Sequence, residues 1–162
     1  VLAGPREVIV LSGRPSRDAA GKRCGYRVLR GGRAVRIPII ERADRLSLRP
    51  TSVDFGVRRS YAKGGVALDV SGVARVAISP EPLLLDRAIE RFLGRSREEI
   101  CRVAEETLEG CLRGLVATCS FGELKADPYA AAEKLMELSE EDLAKLGLEV
   151  EHLEFGDIAE AA

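Results

Sequence analysis

From Val66 to Ser79, apolar and polar positions alternate without a break. Val66, Leu68, Val70, Gly72, Ala74, Val76 and Ile78 fall on one side, and Ala67, Asp69, Ser71, Val73, Arg75, Ala77 and Ser79 on the other. A two-residue period is that of a β-strand with one covered face, so the pattern predicts a long strand here. Shorter strands are predicted at Glu7 to Leu11, around Leu46 and Leu48, and from Thr51 to Val57, where Thr51, Val53, Phe55 and Val57 alternate with polar or small residues. Arg14 to Gly25 is polar and bears Gly and Pro, which predicts a loop or hairpin connection. Gly31-Gly32, between Tyr26 to Leu29 and Ala34 to Ile37, reads as a tight hairpin turn, and Pro38 as a strand end or edge. The N-terminal half is thereby predicted to be an antiparallel meander with one wet face.

The period changes after Ser79-Pro80. Leu83, Leu84, Ala88, Ile89 and Phe92 suit a short helix closed by Gly94. Ser96-x-x-Glu99 is a capping box, and it opens a run of Ile100, Val103, Ala104, Thr107, Leu108, Cys111, Leu112, Leu115 and Val116 at helical spacing. Ser120-x-x-Glu123 is a second capping box. Asp127-Pro128 combines an N-cap with proline at the first helical position and starts a helix toward Leu146, ended by Gly147. Leu148 to Phe155 reads as a last strand with a slip between Val150 and Leu153. The sum is an α+β fold: an antiparallel sheet packed with three to four helices, with a C-terminal strand returning to the sheet.

Composition narrows this reading. A length of 162 residues suits one domain or two small lobes, and 46% hydrophobic with only 4% aromatic residues means a core of Val, Leu, Ile and Ala. No apolar run approaches the 18 or so residues of a membrane-crossing helix, and Val8 to Leu11 is too short for a signal-peptide core. The net charge of −1 hides a strong asymmetry. Residues 1–75 hold 16 Lys/Arg against 6 Asp/Glu, whereas residues 76–162 hold 9 against 20. The lobes are accordingly expected at 1–78, β-rich and basic, and 79–162, helical and acidic with the final strand. Three readings of the asymmetry stay open: a solvated surface, a basic lobe against an anionic leaflet, or a basic lobe against the acidic lobe of the next copy. Nucleic acid is not expected as a partner, because the basic half lacks interleaved aromatics or a known motif.

Chemistry-bearing residues are few. Cys24, Cys101, Cys111 and Cys119 form no C-x-x-C pair and are expected as free thiols, and with His152 the only histidine no metal site is expected. No phosphate loop and no paired-carboxylate arrangement stands out from helix surface charge, so no catalytic residues and no cofactor are expected. A thiol-dependent enzyme would need His152 beside one of the cysteines. Gly110-x-x-x-Gly114 lies inside the long helix at a cost of about 1 kcal/mol per glycine relative to alanine. That points to close approach of the helix to the sheet or to a neighbouring subunit.

Six pieces of the chain, in register over most of its length, resemble the flotillin branch of the SPFH (band 7) superfamily. They are Gly4-Pro5-Arg6-Glu7 running to Ser12-Gly13; Gly31-Gly32 running to Pro38, with Arg45-Leu46-Ser47-Leu48 after it; Tyr61 to Val66 leading into the long strand; Phe92-Leu93-Gly94; Thr107-Leu108-Glu109-Gly110 to Arg113; and Leu146-Gly147-Leu148 to Asp157-Ile158. The match departs from the family where one animal branch has a Trp-rich segment, since this chain has no Trp and carries Val35 to Ile40 there. The resemblance implies a domain fragment with an anchor outside these residues and a coiled coil beyond Ala162. It also implies a non-enzymatic scaffold on the cytoplasmic face of a membrane. Its partners would be copies of itself or a related family member, the lipid of the inner leaflet and client membrane proteins. An alternative implied by other branches is an adaptor that holds a client such as a membrane protease. On this view Arg33, Val35, Arg36, Ile37, Ile39 and Ile40 contact the membrane, unless they are ordinary strand and core. Arg58, Arg59, Glu105, Glu106 and Glu109 contact neighbouring copies.

Overall fold

The computed structural model describes residues 1–162, which divide into two compact units. One comprises Val1–Arg49, Ala77–Ser96 and Lys145–Leu148, and the other Pro50–Val76, Arg97–Ala144 and Glu149–Ala162. The α+β class, the antiparallel strands, the four helices and the returning C-terminal strand are all present. The division differs from the expected lobes 1–78 and 79–162, because each unit draws on both halves of the sequence. The charge split survives the change: the first unit holds 16 Lys/Arg and 7 Asp/Glu, the second 9 and 19. The strands also form two three-stranded sheets rather than one.

In the first unit, β1 (Leu2–Arg17) lies between β2 (Arg23–Arg33) and β3 (Arg42–Ser47), both antiparallel to it. Being central, β1 has both faces covered, and Val8, Ile9, Val10 and Leu11 are all buried in succession. Ile9 and Leu11 pack with Ala3, Leu29, Ala34 and Ala43. The hairpin between β1 and β2 turns at Asp18–Lys22. There the Asp18 carboxylate accepts the N–H groups of Ala20 (3.1 Å) and Lys22 (2.7 Å). An Asx-type turn of this kind satisfies the backbone that the reversal exposes. Gly31-Gly32 is therefore not the hairpin. Both glycines have positive φ (68° and 81°) and lie within β2, where the register jumps from Ala3↔Gly32 to Val8↔Arg30. They stand opposite a bulge in β1, where Gly4 to Glu7 are set against Gly31 alone, and Ala34 to Ile37 is not a strand. Helix α1 (Pro82–Phe92) completes this unit, burying Leu85, Ala88, Ile89 and Phe92. Asp86 on α1 accepts the Ala19 N–H (2.7 Å) and the Tyr26 hydroxyl (3.2 Å).

In the second unit, β5 (Ala67–Ile78) is the middle strand between β4 (Thr51–Tyr61) and the final strand β6 (Leu148–Glu160). The expected alternation holds in the middle of the strand, where Leu68, Val70, Gly72, Ala74 and Val76 are buried, and fails at its ends: Val66 is exposed before β5 begins, and Ala77 and Ser79 are buried along with Ile78. The last strand thus joins the sheet of β4 and β5, with the Ala161 N–H bonding the Ala67 carbonyl at 2.8 Å. Helix α2 (Arg97–Thr118) buries Ala104, Leu108, Leu112, Leu115 and Val116, as its period requires. The Ser120/Glu123 capping box is complete at the start of α3 (Phe121–Ala126), and Asp127 caps α4 (Pro128–Lys145) through the Ala130 N–H at 3.0 Å. Gly110 and Gly114 are exposed, and a Cβ at either would meet nothing within 4 Å. Close approach of α2 to the sheet of this chain therefore does not explain them.

Candidate functional site

The segment leaving β2 carries the most exposed apolar side chains of the first unit. Val35 is 84% exposed, Ile37 38%, Ile39 96% and Ile40 56%, with Arg33, Arg36 and Pro38 exposed among them. The six predicted residues Arg33, Val35, Arg36, Ile37, Ile39 and Ile40 lie together, Arg33 as the last residue of β2 and the other five in the loop that follows it. Val1 and Leu2 are exposed beside it, since Val1 and Ala34 exchange backbone hydrogen bonds of 2.6 and 2.9 Å. Of the two readings open for this stretch, ordinary strand and core does not describe it.

An apolar loop with no core beneath it needs other anchors, and three are visible. Glu41 closes the loop: its N–H bonds the Ile37 carbonyl (2.8 Å), while its Oε2 accepts the Ile37 N–H (3.0 Å). Its carboxylate is buried, and Arg27 answers the charge, with Nη2 3.2 Å from Oε1. The same Nη2 donates to the Val35 carbonyl at 3.0 Å. Gly13 is the third anchor. Its φ is +117°, and a Cβ there would collide with the Ile40 carbonyl, so the loop end lies directly on β1. The Ile37 N–H hydrogen bond, working against burial and helped by the Arg27 and Arg14 charges, holds the Glu41 carboxyl below its ordinary value of 4.5. Sequence reading singled out neither Arg27 nor Glu41. The available signal was one carboxylate at the end of an apolar run in a basic stretch.

The predicted subunit-contact residues are only partly together. Arg58, Glu105 and Glu109 line one cleft of about 550 Å³ in the second unit, together with Asp54, Asp69 and Asp157. Charges of both signs thus meet in one place there. Arg59 has φ +50° at a bulge in β4, and its N–H donates to Asp69 at 2.8 Å. Glu106 is exposed on α2.

The four cysteines are free and half-buried. Burial raises the Cys101 and Cys111 thiols above the ordinary thiol value, with the Asp142 charge adding to the effect at Cys111. A raised thiol is the opposite of an activated nucleophile. His152 is exposed on β6, 3.6 Å from Glu154. No group of three or more His, Cys, Asp or Glu side chains is arranged to hold a metal ion, and no helix is long and apolar enough to cross a membrane.

Two three-stranded sheets and four helices define the class as an α+β domain. The sequence gives that class its family: the model described as SPFH domain / Band 7 family matches residues 1–162, and the chain belongs to that family. Human flotillin-1 is 30% identical over 156 residues, which cover 96% of this chain and 35% of the relative. Mouse flotillin-1 matches to the same extent. The flotillin-like protein FloT of Bacillus subtilis is 27% identical over 162 residues, covering 96% of this chain and 31% of its own length. The chain therefore spans about a third of the curated relatives it matches.

Proposed function

We propose that this domain is a non-enzymatic part of a membrane-associated scaffold, and that the loop from Arg33 to Ile40 is where it meets the lipid. Membership of the flotillin-containing family suggests such a scaffold. The observation that carries the reading to these residues is the exposure of Val35, Ile37, Ile39 and Ile40 on a loop held in place by Glu41, Arg27 and Gly13. Exposed aliphatic tips flanked by arginines suit shallow insertion at a headgroup boundary. Each Arg near an anionic surface adds on the order of 1 kcal/mol, and the excess of basic residues in the first unit favours the negatively charged cytoplasmic leaflet. Many copies then assemble side by side into a ring or cage that organises a patch of membrane. Arg58, Arg59, Glu105, Glu106 and Glu109 are exposed or half-exposed for such contacts.

Flotation with neutral and anionic vesicles at low and high salt tests this function. Binding to anionic vesicles, weakened by salt, is the expected result. Absence of binding to either vesicle would move anchoring outside these residues and overturn the assignment of the loop.

A further inference from the structure

Each sheet ends in a long strand with one free side, and the two strands carry opposite charge. In the first sheet, β2 has β1 as its only strand neighbour; in the second, β6 has only β5. Over 11 residues β2 holds Arg23, Arg27, Arg30 and Arg33 and no carboxylate. Over 13 residues β6 holds Glu149, Glu151, Glu154, Asp157 and Glu160, with His152 as its one basic-capable group. No residue of β2 is fully buried, and Leu153 is the only buried residue of β6 between Glu149 and Glu160. The other two outer strands are different. β3 is six residues long and carries Arg42, Asp44 and Arg45; β4 carries Asp54 with Arg58 and Arg59, and α2 packs against it.

Unpaired strand edges are templates for another strand, and like charge along an edge is one way a chain keeps it from pairing with itself. Two copies of β6 set together would oppose five carboxylates to five, and two copies of β2 would oppose Arg23, Arg30 and Arg33 to the same three, Arg27 being already paired with Glu41. A pairing of β2 with β6 removes both penalties and matches the signs. We propose that the β2 edge of one copy pairs with the β6 edge of the next, continuing the sheets from copy to copy. This inference rests on the scaffold reading and gives its lateral contact a specific surface. A contact between two different edges is heterologous, so it propagates in one direction and yields rings or open arrays rather than two-fold dimers.

Charge exchange in the full-length protein tests the pairing. Arg23→Glu/Arg30→Glu reverses one edge and Glu151→Lys/Glu154→Lys the other, and circular dichroism checks that both variants fold. Sedimentation should show self-association weakened about tenfold or more for each variant alone, a change that like-charge juxtaposition readily produces. A 1:1 mixture should recover it, because each altered edge then finds a complement. Amide hydrogen exchange of the unaltered protein gives a second readout: β2 and β6 should gain protection on assembly. Undiminished association of either variant, a mixture that stays dissociated, or unchanged exchange in both strands would overturn the edge pairing while leaving the scaffold reading standing. A parent protein that never self-associates would overturn both.

Discussion

Val8 to Leu11 and Val35 to Ile40 are both rich in large aliphatic residues and meet opposite fates. The first run is at most 2% exposed at every position, and the second reaches 96% at Ile39. Position in the sheet decides the first case, because β1 has a strand on each side and cover on both faces. The second run begins where β2 ends, contains Pro38 and Arg36, and is tied down by polar contacts at Val35, Ile37 and Ile40 instead of by packing. Burial makes an aliphatic run structural. A run held in the open by a buried carboxylate and its half-exposed arginine partner is available to another surface.

Substitutions can break this comparison. The largest expected effect is in the first run: Ile9→Ala should cost about 2–5 kcal/mol in denaturant unfolding while leaving vesicle binding of the folded fraction unchanged. Arg33→Ala/Arg36→Ala should weaken binding to anionic vesicles by about thirtyfold at low salt, from roughly 1 kcal/mol per arginine, and much less at high salt. Ile39→Ser/Ile40→Ser should leave stability within about 0.5 kcal/mol, as befits exposed positions. Vesicle affinity should nevertheless fall about tenfold, since even partial burial of two isoleucines is worth more than 1.4 kcal/mol.

The smallest effect sharpens the account of the anchor. Because the folded Glu41 carboxyl titrates below 4.5, its contribution to stability is complete above that pH and is lost as the pH falls through the depressed folded value. Urea unfolding should show Glu41→Gln less stable than the parent at neutral pH, with the gap closing as the pH falls below 4.5. A gap that stays constant across this range would contradict the ion pair.

Periodicity made much of this legible. The two-residue alternation of β5 and the helical spacing of α2 each state which side is buried, and both hold from Leu68 to Val76 and along α2, while the alternation ends at Ala77, where both sides of the chain are covered. The caps at Ser120 and Asp127 and the helix-ending glycines Gly94 (φ 78°) and Gly147 (φ 77°) are local chemistry, so they too were readable. What escaped depends on distant partners. Ser12 to Arg17 is polar yet extends β1, because β2 pairs with it. Gly31-Gly32 carries the signal of a turn but lies within β2 opposite a bulge in β1, the reversal having been taken by Asp18. The Arg27–Glu41 pair joins residues 14 positions apart across a strand end, which no local pattern reports. The loop residues Arg33 to Ile40 were visible as a cluster from sequence, but their exposure was not.

The most direct test of the central claim uses the absence of tryptophan from this chain. Ile39→Trp places one reporter at the tip of the loop. On addition of anionic vesicles its emission should shift to the blue and become shielded from aqueous quenchers, and high salt should reverse both changes. An emission unchanged while the protein floats with the vesicles would show that another surface meets the membrane, and would contradict the account.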